Sequence, residues 1–386
     1  MKTTSYLVVG GGMTSAAACK GIREHDSDGP ITLVGAEAHA PYKRPPLTKG
    51  LWSGGDEAKI WLGTADLGVD LRLGRSIVEL DLDAHRARDD QGEEYAYEKV
   101  LLATGGSPRE LASADAEVVY FRTLDDYRNL RGLADAGSSF VVVGGGFIGS
   151  ELAAALASNG SRVSMVFPEP GLCWRLLPPA LAAFVTDYYR EKGVDVLAEE
   201  TVASVEPGRV LTGSGRVLEG DAIIAGLGIQ PRTDLAEAVG LPVDNGIVVD
   251  EYGRAGGRED VFAAGDVASF PSAALGRSVR VEHEDHANTH GRTVGANMAG
   301  AGQPYDHLPF FYSDLFDLGY EAVGELDSRL ATVERWQEPN RKGVVAYVDV
   351  ERRPRGFLLW NTWDKVDAAS ELIRRAEPLD EESLAL

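Results

Sequence analysis

Three consecutive glycines, set between a short apolar run and an alanine-rich stretch, constrain this chain more than any other feature, because the arrangement occurs twice. Residues 5–9 open into Gly10-Gly11-Gly12-Met13-Thr14-Ser15, followed by helix formers over 16–22 and a second apolar run over 31–34 that ends near Ala36 and Glu37. Residues 140–143 open into Gly144-Gly145-Gly146-Phe147-Ile148-Gly149, then a helical stretch over 151–157 and a strand over 162–167 that ends at Glu169. Each is a βαβ unit with a glycine turn. Such a turn brings backbone N–H groups and the positive end of a helix against a pyrophosphate, at a distance that a Cβ would block. Two copies imply two dinucleotides.

In the second copy Gly144, Gly146 and Gly149 complete the GxGxxG pattern. Glu169 follows about 20 residues later, where a carboxylate takes the ribose 2′-hydroxyl of NAD and repels a 2′-phosphate. NADH is therefore expected over NADPH, although Arg175 nearby could partly accommodate the phosphate. In the first copy the third glycine is replaced by Ser15, and the acid is Glu37, with Ala36 before it. The economical pair of dinucleotides is a bound flavin and a diffusible nicotinamide. The protein then holds donor and acceptor at roughly 3–3.5 Å and sets the electrostatics of the ring.

Further apolar strands run into glycine at 100–106, 222–228 and 260–266, the last ending in Asp266. The first fold is thus expected to be split, with the second inserted into it. From about Pro309 the pattern changes to short alternating strands over 320–326, 343–350 and 356–360 and a helix over 364–375. The expected architecture is α/β. An FAD-binding Rossmann-like domain spans 1–118 and 246–308, an inserted NAD-binding one spans 119–245, and a C-terminal α+β interface or dimerisation domain spans 309–386.

Composition removes other classes. Lys and Arg total 38 against 60 Asp and Glu, a formal net charge of -22 that opposes a nucleic-acid or anionic-membrane partner. No apolar stretch approaches the roughly 20 residues that span a bilayer. Cys19 and Cys173 lie far apart and form no CxxC, so a dithiol redox centre is not expected, and a reducing, cytoplasmic setting is. Lys2, the first apolar run and Cys19 mimic a lipoprotein signal, but the glycines break the apolar region. Glu282, His283, Asp285, His286 and His290 mimic metal ligands on one helical face; without an HExxH or a distal ligand, no metal is expected.

The runs GGGMTS, PYKRPPLTKGLW, LLATGG, VVVGGGFIGSELA, VFAAGD and VEHEDHA resemble the FAD-dependent pyridine nucleotide reductases with two dinucleotide domains. Within that class RVEHEDHANTHGR, FFYSDLFDLGYEAVGELDS, FPE at 167–169 and GFLLWN resemble the apoptosis-inducing-factor family in its oxidoreductase form. The chain departs from that family at Tyr312, where tryptophan is usual beside the flavin, and at the acid near Glu37, displaced by one residue. A targeting segment is not expected, and the long C-terminal insertion is reduced to a turn at 339–342.

The resemblance implies FAD contacts from the first glycine turn, Ala36, Glu37, Arg44, Lys49, Arg122, Asp266, Glu282, His283 and Tyr312. It implies NAD contacts from the second turn with Phe147 and Ile148, and from Glu169, Arg175, Gly228, Tyr312, Glu321 and Asn361. Lys49 paired with Glu151, together with His283 and Tyr312, would serve catalysis. His286 and His290 would be packing residues. The function implied is NADH oxidation through FAD, with electrons passed to a small or quinone-like acceptor and a stable charge-transfer complex in the reduced state. One alternative is the ferredoxin or rubredoxin reductase component of an oxygenase. Another, not enzymatic, is an NADH-responsive redox sensor or assembly protein that forms a homodimer on reduction.

Overall fold

Continuous apolar runs make the central strands, as a parallel sheet covered on both faces requires. A computed structural model describes residues 1–112, 114 and 117–385. The chain forms two units: Met1–Arg44 with Asp56–Ser107 and Gln230–Pro309, and Pro45–Gly55 with Pro108–Ile229 and Phe310–Leu386.

In the first unit the strand Lys2–Val9 lies between Ile31–Gly35 and Glu94–Leu102, parallel to both, with Val69–Leu73 outside Ile31–Gly35. Glu94–Leu102 divides its far edge, pairing antiparallel with Arg86–Asp89 and parallel with Val261–Ala263. The late strand therefore completes a fold begun at the N-terminus, which is the split expected from the sequence. Val9 stands opposite Val34 and Leu102, and Leu102 opposite Ala263. These strands end level, at the edge where open α/β sheets bind ligands.

Two helices of this unit, Met13–His25 and Glu284–Met298, cross in backbone contact. A Cβ on Gly21 would fall inside the Arg292 carbonyl, and one on Gly295 inside that of Ala18. Small residues on both faces let the second helix come down on the first and set where its N-terminus, with His283 as cap, emerges.

In the second unit Phe140–Val143 lies between Val163–Val166 and Ala222–Ala225, with Asp195–Leu197 outside, all parallel. A meander of Val202–Glu206, Arg209–Thr212 and Val217–Glu219 precedes Ala222–Ala225. The C-terminal part is a five-stranded antiparallel sheet in the order Phe310–Leu315, Leu318–Gly324, Pro354–Trp360, Lys342–Val348 and Ala331–Glu338. Helix Val366–Arg375 packs on Leu318–Gly324 and Pro354–Trp360.

Two of these strands lie outside the sequence expectation. Ala331–Glu338 is an edge strand, mostly exposed and rich in charge, so it lacks the apolar alternation of a half-buried strand. Phe310–Leu315 is also at an edge, and buries only Ser313 and Leu315. No helix among the described residues is long and apolar enough to cross a membrane.

Gly295→Ala should drive a methyl into the Ala18 carbonyl and destabilise the protein by about 1–3 kcal/mol or more. Thermal unfolding measures it, and a melting point equal to wild type would show that the two helices can separate freely.

Candidate functional site

The first glycine turn leaves Lys2–Val9 in a backbone that only glycine adopts comfortably. Gly10 has φ +123, and a Cβ there would overlap the Ala103 carbonyl. Gly11 lies against the Gly35 backbone, at the end of the neighbouring strand. Gly12 caps helix Met13–His25 without a side-chain hydrogen bond, no acid occupies the first turn, and a Cβ on Gly12 would meet no atom within 4 Å. A helix end whose N–H groups lack a side-chain acceptor, opening onto space, fits a pyrophosphate. Thr14 and Ser15 are buried behind the turn, and Met13 Sδ accepts a hydrogen bond from the Arg44 N–H at 3.4 Å.

Beyond Ala36, Glu37 accepts hydrogen bonds from the Tyr42 hydroxyl and the Arg44 guanidinium, each at 2.5 Å. Burial works against the Arg44 charge, but Tyr42, Glu37 and Asp266 outweigh it and hold the guanidinium protonated. Asp266 follows the strand Val261–Ala263 in a single 3-10 turn, and its carbonyl accepts from Arg280 at 3.1 Å. Arg280 also pairs with Glu282 at 2.6 Å. Burial pushes the His283 imidazole down to about 4, against the opposing pull of Asp266 and Asp285, so it caps its helix as a neutral ring at pH 7.

His286 and His290 are fully buried and packed with Phe270 and Tyr305; His286 Nδ1 lies 3.0 Å from the Tyr305 hydroxyl, and His290 Nδ1 accepts from the Gly265 N–H at 3.3 Å. They are core residues, and no group of three or more acidic, histidine or cysteine side chains suited to a metal occurs among the described residues.

The second unit repeats the turn. Gly144 has φ +110, and Gly149 sits so close to the Gly144 carbonyl that a Cβ would not fit. Gly145 lies against the Phe167 ring and accepts from the Cys173 N–H at 2.7 Å. Gly146 caps helix Phe147–Ser158 without a side-chain hydrogen bond, and its Cβ would again meet nothing within 4 Å. This turn also fits a dinucleotide. Phe147 packs edge-on against Phe311 at 5.4 Å, and Ile148 is 37% exposed. Glu169 follows strand Val163–Val166 and pairs with the exposed Arg175 at 3.2 Å.

One turn along the same helix stands Glu151, buried and paired with Lys49 at 2.5 Å. Lys49 is held by a short segment of two 3-10 turns whose Trp52 is buried, donates to the Leu47 carbonyl at 2.7 Å and packs edge-on against Tyr127. Its Nζ lies 5.4 Å from the centre of the Tyr312 ring, which is 38% exposed. Thus three residues expected from distant parts of the sequence meet.

The remaining expected residues are placed elsewhere in this unit. The Arg122 N–H donates to Asp126 at the start of helix Leu124–Asp135. The Gly228 carbonyl accepts from the Arg109 N–H at 2.9 Å. The Glu321 carboxylate accepts from the Asp364 N–H at 3.1 Å. The Asn361 amide is occupied at both ends, accepting from the Gly319 N–H at 2.8 Å and donating to the Arg341 carbonyl at 2.7 Å.

Tyr42, Thr48, Phe311, Ser313 and Asp314 are not among the residues expected from the sequence, although all lie inside the runs PYKRPPLTKGLW and FFYSDLFDLGYEAVGELDS. The Thr48 hydroxyl donates to Glu151 at 2.6 Å and the Ser313 hydroxyl at 2.7 Å. Their only signal is adjacency to Lys49 and Tyr312.

The family described as pyridine nucleotide-disulphide oxidoreductase matches residues 4–291, and that described as apoptosis-inducing factor, mitochondrion-associated, C-term, matches 294–344. The chain is 33% identical over 423 residues to apoptosis-inducing factor 1, mitochondrial, of Dictyostelium discoideum, covering 97% of this chain and 79% of that protein. It is 32% identical over 400 residues to the anthranilate 1,2-dioxygenase system ferredoxin–NAD(+) reductase component of Burkholderia cepacia, covering 100% and 98%. The solved covalent complex of putidaredoxin reductase with putidaredoxin is similar at a TM-score of 0.92 and 28% identity, covering 100% of this chain and 96% of that one.

Because a Cβ at Gly12 or Gly146 would meet no protein atom within 4 Å, Gly12→Val and Gly146→Val should fold with near-native melting points. Gly12→Val should weaken FAD binding to the apoprotein and Gly146→Val NADH binding, each by at least about tenfold. Calorimetric titration checks both, and native affinities would show that the turns do not cradle the phosphates.

Proposed function

The chain belongs to the pyridine nucleotide-disulphide oxidoreductase family, and from that premise we propose that this FAD-dependent NADH oxidoreductase passes its electrons to a small or quinone-like acceptor. The observation that carries the reading is the buried Lys49–Glu151 pair on the helix that begins at the second glycine turn, with Tyr312 beside it. FAD, when bound, supplies the two-electron acceptor for the hydride of NADH.

The first glycine turn, Glu37, Arg44, Asp266, Glu282 and His283 are assigned to holding FAD in the fold of residues 1–118 and 246–308. Gly144 to Gly149, Phe147 and Glu169 are assigned to holding NADH in residues 119–245. Glu169 takes the ribose hydroxyls, and its charge disfavours a 2′-phosphate. Tyr312 presents an exposed aromatic face for a ring to rest on. Lys49 supplies a fixed cation at the reacting end, and a neutral His283 at its helix terminus adds a dipole without a charge. Free, buried Cys19 and Cys173 suit a reducing cytoplasm, and neither provides a dithiol.

A second reading, an iron–sulfur protein as acceptor, is favoured by the near full-length similarity to a ferredoxin–NAD(+) reductase component. The net charge of -22 opposes it, since an acidic partner would be repelled.

Anaerobic NADH should bleach the flavin of the reconstituted protein. Fast reoxidation by a small quinone and slow reoxidation by a ferredoxin would support the first reading, and the reverse order would replace it with the second. Light scattering on the reduced protein tests dimerisation in the same sample. Lys49→Ala should lower the flavin potential and slow its reduction by at least about tenfold; unchanged reduction kinetics would remove Lys49 from the reaction. Glu169→Gln should raise the ratio of kcat/KM for NADPH to that for NADH about tenfold, through loss of one like charge. An unaltered ratio would place the specificity elsewhere.

A further inference from the structure

Glu151 receives three donors from two other parts of the chain. Oε1 takes the Lys49 ammonium at 2.5 Å and the Ser313 hydroxyl at 2.7 Å, and Oε2 takes the Thr48 hydroxyl at 2.6 Å. Thr48 and Lys49 come from the segment Pro45–Gly55, and Ser313 from the first strand of the C-terminal sheet. All of these groups are buried or nearly so: Thr48 is 6% exposed, Ser313 1%, and the side chains of Lys49 and Glu151 14% and 6%. We propose that Thr48 and Ser313 are positioning residues of the redox reaction, which act through Glu151 to hold the Lys49 ammonium at one place beside Tyr312.

This inference deepens the reading of the chain as an NADH oxidoreductase and rests on it. A lysine is a point charge on a flexible stem, and a single carboxylate would leave it several rotamers. A carboxylate pinned through both oxygens has one orientation, so its ion-pair partner has one location. Hydroxyl groups suit the task because they donate without adding charge, and the pair keeps its electrostatic balance. Ser313 adds a second constraint. Its neighbour Tyr312 carries the ring over which Lys49 lies, so one strand fixes both the carboxylate that holds the ammonium and the aromatic face beside it.

The titratable groups around Glu151 are Lys49, Asp314, Cys173, Tyr189 and Tyr320. Burial pushes the Cys173 thiol up to about 11 and both phenols well above their usual range, so these three stay neutral near pH 7. The Asp314 carboxyl is raised by partial desolvation, against the pull of Lys49, and Glu151 adds to the rise. It is the neighbour able to compete for the ammonium once Glu151 is no longer pinned. Loss of the hydroxyls therefore lets the ammonium move, which shifts the flavin potential in a way that a merely structural pair of residues would not.

The test uses FAD-loaded protein with Ser313→Ala, Thr48→Val and the hydroxyl-retaining Ser313→Thr and Thr48→Ser. Single-turnover reduction by NADH is followed, and the flavin midpoint potential is measured in the absence of NADH. Ser313→Ala and Thr48→Val should lower the limiting reduction rate about tenfold, shift the potential, and leave the Kd for NADH within about twofold. The hydroxyl-retaining variants should restore both.

Wild-type rates and potentials in Ser313→Ala and Thr48→Val would overturn the proposal. If Thr48→Val does not fold, Ser313→Ala decides alone. Wild-type protein that binds FAD but is not reduced by NADH would instead defeat the functional reading itself.

Discussion

The molecule depends on backbone meeting backbone where a Cβ cannot stand. Gly10 against the Ala103 carbonyl and Gly144 against that of Gly226 bring the turn after each first strand hard onto a neighbouring strand end. The helix that follows therefore starts at the sheet edge, with its N–H groups directed outward. Gly21, Gly291 and Gly295 extend the same constraint in the first unit, because the helix capped by His283 can descend only where the facing helix also lacks side-chain bulk. Sterics thus decide where the positive helix ends lie, and electrostatics decides what they attract.

A buried ion pair is a poor way to stabilise a protein. Desolvation of both charges offsets most of their attraction, and a hydrophobic pair of similar volume often does as well. The Lys49–Glu151 pair is nevertheless surrounded with donors and closed in by Tyr189, Cys173 and Tyr320. That investment is reasonable where a cation must be kept at one location in a dry site. The surface pairs of this acidic chain, such as Arg88 with Glu79 or Arg353 with Glu351, are exposed at both ends and contribute little.

The architecture was largely legible because dinucleotide folds repeat a local pattern. A buried strand, a glycine turn, a helix and a second strand ending in an acid follow one another within about 30 residues. Interruption of the first fold by the second was legible too, since Val261–Ala263 reads as a strand ending in Asp266 with no βαβ unit of its own. The strands Phe310–Leu315 and Ala331–Glu338 were not. Edge strands with one polar side lack the periodicity that marks a buried element, and their pairing partners supply the order that their own sequences do not.

The site divides along the same line. Sequence alone determined that the chain carries two glycine turns of the dinucleotide type, that Glu169 and Glu37 follow them at similar spacing, and that it contains no CxxC, because each of these is a matter of local spacing. Only the tertiary structure decided that Tyr42 and Arg44 would both bind Glu37, that Asn361 would spend its amide on Gly319 and Arg341, and that Thr48 and Ser313 would meet on one carboxylate. Thr48 and Ser313 are 265 residues apart in the numbering (313 minus 48). A hydroxyl carries no signature of its partner, and partnership over that separation exists only once strands, helices and turns have been packed.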